Sequence, residues 1–239
     1  MMSVLTSARS RDLKRFHVLL EQLEKICCGY RFLRDCSGRQ NWPHRGVYFF
    51  HEDGEHRTDT GTGLRIVRVG THALKNGSRT TLWNRLSQHK GVTRTGGGNH
   101  RGSIFRLIIG QALIQKHGYK YEAWGVGSAA SVAIRKSEEK LEQEVSLFIG
   151  RMPFLWLAID DIPNPDSLRG FIERNAIALL SNYRKSVLDL PSNNWLGRYS
   201  NRAKITDSGL WNQNHVDETY DPTFLDVFER LISQTRRVS

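Results

Sequence analysis

The sequence predicts a mixed α/β chain of the α+β kind, in which a small mixed or antiparallel sheet of three strands is flanked by helices. Two observations lead there. Short apolar segments at 45–50, 64–70 and 153–160 have strand composition and are bounded by turn residues. The stretches between and around them repeat apolar residues at helical spacing instead.

Residues 10–28 set Leu13, Phe16, Leu19, Leu20, Leu23, Ile26 and Cys27 on one stripe, with Ser10 as N-cap and Gly29 as C-cap. This is a packing helix that carries no evident chemistry. Arg45-Gly46-Val47-Tyr48-Phe49-Phe50 is the first strand, entered through Pro43 and left through Glu52-Asp53-Gly54. After a polar loop, residues 64–70 alternate apolar and basic, and the two strands pair as a hairpin. Strict alternation puts Arg68 on the face of Leu64 and Ile66, and Arg65 with Val67 and Val69 on the other.

Ser78 or Thr80 caps a helix over 81–89, which Gly91 ends; Leu82 and Leu86 supply its buried contact, and Arg85 and His89 stand one turn apart on one face. The glycine-rich loop 93–103 carries Arg94, His100 and Arg101, but it lacks the Gly-Lys-Ser/Thr ending of a nucleotide phosphate loop. It reads as a basic loop beside a phosphate backbone. Residues 104–115 form an apolar helix, 119–130 are turn-rich, and 137–149 form a helix with Leu141, Val145, Phe148 and Ile149 inside. Its Glu138, Glu139 and Glu142 read as a solvated face.

The continuous apolar run 153–160, bounded by prolines, is a buried central strand. Asp166 or Ser167 caps the helix over 168–182, whose stripe is Leu168, Ile172, Ala176, Leu179 and Leu180. Glu173 sits at the margin of that stripe, where a carboxylate among apolar neighbours invites a cation. Amide- and aromatic-rich segments at 193–197 and 211–215 precede a closing helix with Phe224, Leu225, Phe228 and Ile232 inside.

The bulk numbers narrow the function. Thirty-five Lys plus Arg against 24 Asp plus Glu leave 239 residues with a net charge of +11, which draws polyanions through counterion release and makes nucleic acid the leading partner. No apolar run approaches the roughly 20 residues of a membrane span, and residues 1–11 lack the apolar core of a secretion signal, so a cytoplasmic protein is expected. Cys27, Cys28 and Cys36 are too few and too clustered for a disulfide framework.

Taken together, these pieces resemble the GIY-YIG nuclease superfamily, and its restriction-enzyme branch in particular. Gly46-Val47-Tyr48 matches the first half of the signature, and Arg68-Val69-Gly70 stands where the second half would be. Arg85-x3-His89 matches the helix motif of that branch, and Glu173-Arg174-Asn175-Ala176-Ile177 is similar to the segment with the family's metal-binding glutamate. The likeness covers residues 44–195, with an insertion at about 92–150 that the smallest members lack. Residues 1–43 are then a helical extension, and 196–239 a C-terminal extension packed on the same domain. One departure matters: the second signature tyrosine is Arg68, which can hold a phosphate but cannot act as a phenol.

The resemblance implies a Mg²⁺-dependent DNA endonuclease, with Mn²⁺ able to replace Mg²⁺ and RNA open as a substrate. Tyr48 and His89 would orient or activate water, Arg85 and Arg68 would hold phosphate, and Glu173 would bind the metal. His72, Arg94, His100, Arg101 and Arg106 would contact nucleic acid, joined by the amide that relatives carry after the glutamate helix, which falls at Asn193 or Asn194. Restriction or phage defence is the expected setting. The rival reading is a nucleic-acid-binding module whose nuclease site has decayed at Arg68. A histidine–metal nuclease built on Asn99-His100 or Asn214-His215 lacks the paired histidines it needs.

Overall fold

The computed structural model describes residues 7–92 and 94–235; residues 1–6, Thr93 and residues 236–239, which fall in the N-terminal extension, the glycine-rich loop and the C-terminal extension, lie outside them. Helix α1 (Ala8–Ile26) leads to a two-residue strand β1 (Arg31–Phe32), then β2 (Gly46–His56), β3 (Leu64–Gly70) and helix α2 (Leu82–Lys90). Helices α3 (Ile104–His117) and α4 (Val132–Gly150) precede β4 (Pro153–Ala158), and α5 (Leu168–Leu180), α6 (Ala203–Ser208) and α7 (Phe224–Gln234) complete the chain.

The sheet is antiparallel throughout, in the order β1-β4-β2-β3. It has a fourth strand beyond the expected three. Arg31 and Phe32 form that edge against Phe154 and Pro153, a pairing too short to leave a periodic signal. β2 also runs past the expected exit, because His56 still pairs with Leu64 across an irregularity at Gly54.

β4 and the first half of β2 are buried on both faces, which is why 153–158 and 46–50 read as unbroken apolar runs. Val47 and Phe49 face a core built with α1, α5 and α7, including Phe16, Ile172 and Phe228. Tyr48 and Phe50 face a second core built with α2, α3 and α4, including Leu86, Phe105 and Leu141, and with Trp195 and Trp211. Both terminal helices thus pack into the same core as the signature strands.

Strict alternation fails in β3. Phe50 pairs with Arg68 but His51 pairs with Ile66, so Val67 is an extra residue on that strand. A bulge of this kind re-aims the residue beside it. Arg68 therefore shares the face of Tyr48 and Gly70, while Ile66 packs in the other core with Val69.

The expected solvated face of α4 is corrected as well. Glu138 and Glu142 are buried, Glu138 in a bidentate pair with Arg101 at 2.7 and 2.9 Å. Glu142 accepts from Arg106 Nε at 3.0 Å and Nη2 at 2.5 Å, and lies 2.9 Å from His100 Nδ1. These pairs tie the glycine-rich loop and α3 to α4. Breaking a buried pair on one side strands the other charge, so Glu142→Ala is expected to cost roughly 3–5 kcal/mol. Chemical denaturation measures this; an unchanged midpoint would show that Arg106 finds water instead.

Buried histidines make stability pH-dependent. Burial pushes His17 down to about 3 and His51 down to about 4, from an ordinary value of 6.5. The unfolded chain then binds more protons than the folded one below pH 6.5, so stability is full above that value and falls towards pH 4. Each group is expected to remove on the order of 3 kcal/mol by pH 4. Denaturation midpoints at pH 7, 5.5 and 4 check it, and His51→Phe should flatten the decline. Among the described residues no helix is long and apolar enough to cross a membrane.

Candidate functional site

A pocket of about 620 Å³ opens where β2, β3, α2, α5 and the 212–215 loop meet, and its walls include Tyr48, Arg68, His72, Arg85 and Glu173. Five of the expected site residues thus converge from four elements and the segment that follows β3. Its permanent charges are Arg68, Lys75 and Arg85 against Glu173, a balance suited to a phosphodiester.

The two signature glycines are required by close approach. A Cβ on Gly46 would collide with the carbonyl oxygen of Leu157, and one on Gly70 with the ring and hydroxyl of Tyr48. Tyr48 lies directly across from Gly70 in the hairpin, so the missing side chain of one residue is the berth of the other. Tyr48 Oη is 2.8 Å from His89 Nε2, and His89 Nδ1 is 2.8 Å from Ser103 Oγ.

His89 is fully buried behind Tyr48 and does not line the pocket. Burial, with Arg85, Arg68 and Arg106 nearby, holds it well below the ordinary histidine range, so the ring is neutral. It reaches the pocket only through the phenol. Arg85, one turn earlier on α2, is half-buried and lines the pocket, its Nη1 donating to Gln88 at 3.0 Å. The N-cap of α2 is Thr81, whose hydroxyl and Asn84 form a capping box, one residue beyond Thr80 and three beyond Ser78, the expected caps.

Arg68 is buried, its Nη1 donating to the Trp211 carbonyl and its guanidinium 4.5 Å above the Phe105 ring. Glu173 is half-buried on α5, and its Oε1 accepts the Thr71 N–H at 3.0 Å. Burial raises this carboxyl, opposed by Arg68 and by the Thr71 hydrogen bond. His72 lines the pocket as a buried ring, pushed down to about 4 by burial and by Arg169. It is neutral at pH 7 and offers a phosphate a hydrogen bond but no charge.

The remaining expected nucleic-acid contacts lie outside the pocket. Arg106 and His100 are buried against Glu142, and the Arg101 guanidinium is closed off by Glu138, which corrects their expected place along a phosphate backbone. Arg94 is exposed on the loop, and Asn194 is exposed in a turn. The amides that do reach the pocket are Asn212, Gln213 and Asn214, followed by His215. Asn212 clasps the edge of β3, donating to the Val69 carbonyl at 2.8 Å and accepting its N–H at 3.1 Å, while Trp211 N–H donates to Val67 at 2.7 Å. The sequence showed an amide-rich segment there but gave no sign of its partner strand.

A hard dication suits this site better than a thiophilic one. Among the described residues no group of three or more His, Cys, Asp and Glu could hold a metal, so a zinc-type cage is absent. Mg²⁺ keeps most of its waters and needs few protein carboxylates. Glu173 is the pocket's one carboxylate, and a cation there would offset the burial that raises it.

A family model described as the GIY-YIG domain matches residues 7–238, spanning both terminal helices and the insertion. No curated protein and no solved structure matches the chain.

Proposed function

We propose, for a chain that belongs to the GIY-YIG nuclease superfamily, that it is a Mg²⁺-dependent endonuclease hydrolysing DNA phosphodiester bonds. The observation that carries this reading is the meeting of Tyr48, Arg85 and Glu173 in one pocket, with His89 2.8 Å behind the phenol. Hydrolysis of a phosphodiester needs an oriented water, donors for the charge that develops on phosphate, and stabilisation of the leaving oxygen.

Tyr48 orients or deprotonates the attacking water, with His89 hydrogen-bonded behind the phenol and Arg68 interacting with its hydroxyl. Arg85 clamps the non-bridging oxygens, and Arg68 adds positive field from its place over Phe105. His72 and the 212–215 loop line the path of the strand. Glu173 would hold Mg²⁺, which when bound supplies charge neutralisation at the leaving oxygen.

Arg85→Ala is expected to slow cleavage roughly 100- to 1000-fold, the usual loss for one donor at a developing anion. Single-turnover rates on plasmid DNA measure it; parental rates would remove Arg85 from the chemistry. The reading as a whole is tested on duplex, branched and single-stranded DNA and on RNA, each with Mg²⁺, Mn²⁺ or chelator. A second reading draws on Arg68, which is committed to Trp211 and Phe105 where relatives have a phenol. Tight binding without cleavage of any substrate would favour that binding module. A restriction or phage-defence role is proposed with the nuclease, and a methyltransferase gene beside this one would support it.

A further inference from the structure

Ser103 lies in the insertion, away from both signature strands, yet its hydroxyl is one of two groups that the His89 ring touches by hydrogen bond. Ser103 Oγ is 2.8 Å from Nδ1, and Tyr48 Oη is 2.8 Å from Nε2. A neutral imidazole carries one N–H and one lone pair, whereas a hydroxyl can donate or accept. Both partners being hydroxyls, either tautomer fits the distances.

The tie is broken at Ser103. Its Oγ accepts the backbone N–H of Arg106 at 3.3 Å as the N-cap of α3, and the residue is 1% exposed. Among the described residues its own O–H has one acceptor within reach, His89 Nδ1. The opposite sense would have Oγ accept twice and leave a buried hydroxyl proton unpaired, the arrangement that hydrogen bonding in interiors avoids.

We infer that Ser103 is a positioning residue: it donates to His89 Nδ1, keeps the ring proton on Nε2, and so makes Tyr48 Oη an acceptor towards His89 and aims the phenolic O–H into the pocket. This rests on the role proposed for Tyr48 and deepens it. With Nε2 protonated, His89 has no lone pair for the phenol's proton, so the imidazole is not the base. The phenol releases its proton to solvent, and the phenolate is held by the Nε2–H donor. It then takes a proton from the attacking water, whose oxygen forms the new bond to phosphorus. The bond to the leaving oxygen breaks with its electron pair, and that oxygen takes a proton from solvent.

The test is nitrogen NMR on ¹⁵N-histidine-labelled, metal-free protein, with the His89 signals assigned by their loss in His89→Asn. The expected result is a proton on Nε2 and a bare Nδ1. A proton on Nδ1 in the parent overturns the inference before any variant is made. Ser103→Thr keeps the hydroxyl and should keep the tautomer. Ser103→Asp keeps the helix cap but can only accept, so it should move the proton to Nδ1. Ser103→Ala should mix the tautomers and lower kcat on the order of tenfold with KM unchanged. Unaltered spectra in both Ser103→Ala and Ser103→Asp also overturn it. Because the spectra need neither metal nor DNA, a protein that cleaves nothing defeats the nuclease reading while the tautomer is still decided.

Discussion

Glu173→Gln is expected to abolish Mg²⁺-dependent cleavage, by about 1000-fold or more, while leaving the fold as stable as the parent or more so. The two halves of that expectation share one cause. The carboxylate is held in a site where burial works against its charge, and Thr71 offers it a single backbone N–H at 3.0 Å. A glutamine oxygen can accept the same hydrogen bond without the desolvation cost, so the amide fits the folded state at least as well. It cannot offer a hard dication a negative ligand. Thermal unfolding, Mg²⁺ titration by calorimetry and single-turnover cleavage separate the outcomes. Loss of activity together with a large loss of stability would mean that Glu173 is a structural partner of Arg68. Full activity with intact metal binding would place the metal elsewhere.

Much of the fold was legible because it rests on periodicity. The strands around Tyr48, Val67 and Leu155 and the helices carrying Arg85 and Glu173 lie where their apolar spacing puts them, with ends moved by a few residues. The misses have physical reasons. The β1 edge is two residues long and has no period to detect. The bulge at Val67 reverses the facing of Arg68, and nothing in an alternating pattern announces an extra residue. Glu138 and Glu142 look like a solvated face until Arg101 and Arg106, distant in sequence, arrive to neutralise them. Charge alone could not tell a cation meant for phosphate from one meant for a buried carboxylate. The same ambiguity makes the basic loop resemble a nucleic-acid contact in sequence.

In and behind the pocket, the residues visible in advance were those whose type is dictated by position along one element, such as Gly46, Gly70 and the Arg85–His89 turn. Those brought by a loop were not. Asn212 acts by imitating a neighbouring strand at the edge of β3, and any amide-rich turn could do so. Ser103 came to light only as a distance to a ring nitrogen.

Tyr48→Phe is expected to lower cleavage by roughly 100- to 10,000-fold, the span of a lost general acid–base group, and His89→Asn in the Tyr48→Phe background is expected to cost nothing further. The ring of Tyr48 packs against Gly70 and lies 5.6 Å from the Phe50 ring at a steep angle, and phenylalanine keeps both contacts. What goes is the hydroxyl, together with the partner of His89 Nε2, which leaves a buried polar atom unpaired at a cost of about 1–3 kcal/mol. Stability therefore falls modestly in Tyr48→Phe. For cleavage the cycle asks a different question. His89 is fully buried and meets the pocket only through the phenol, so once the phenol is gone there is nothing for it to act upon. Additive losses in the double variant would give His89 a route to the substrate that bypasses Tyr48. A fully active Tyr48→Phe protein would return the strand Gly46–His56 to a purely structural part in the fold.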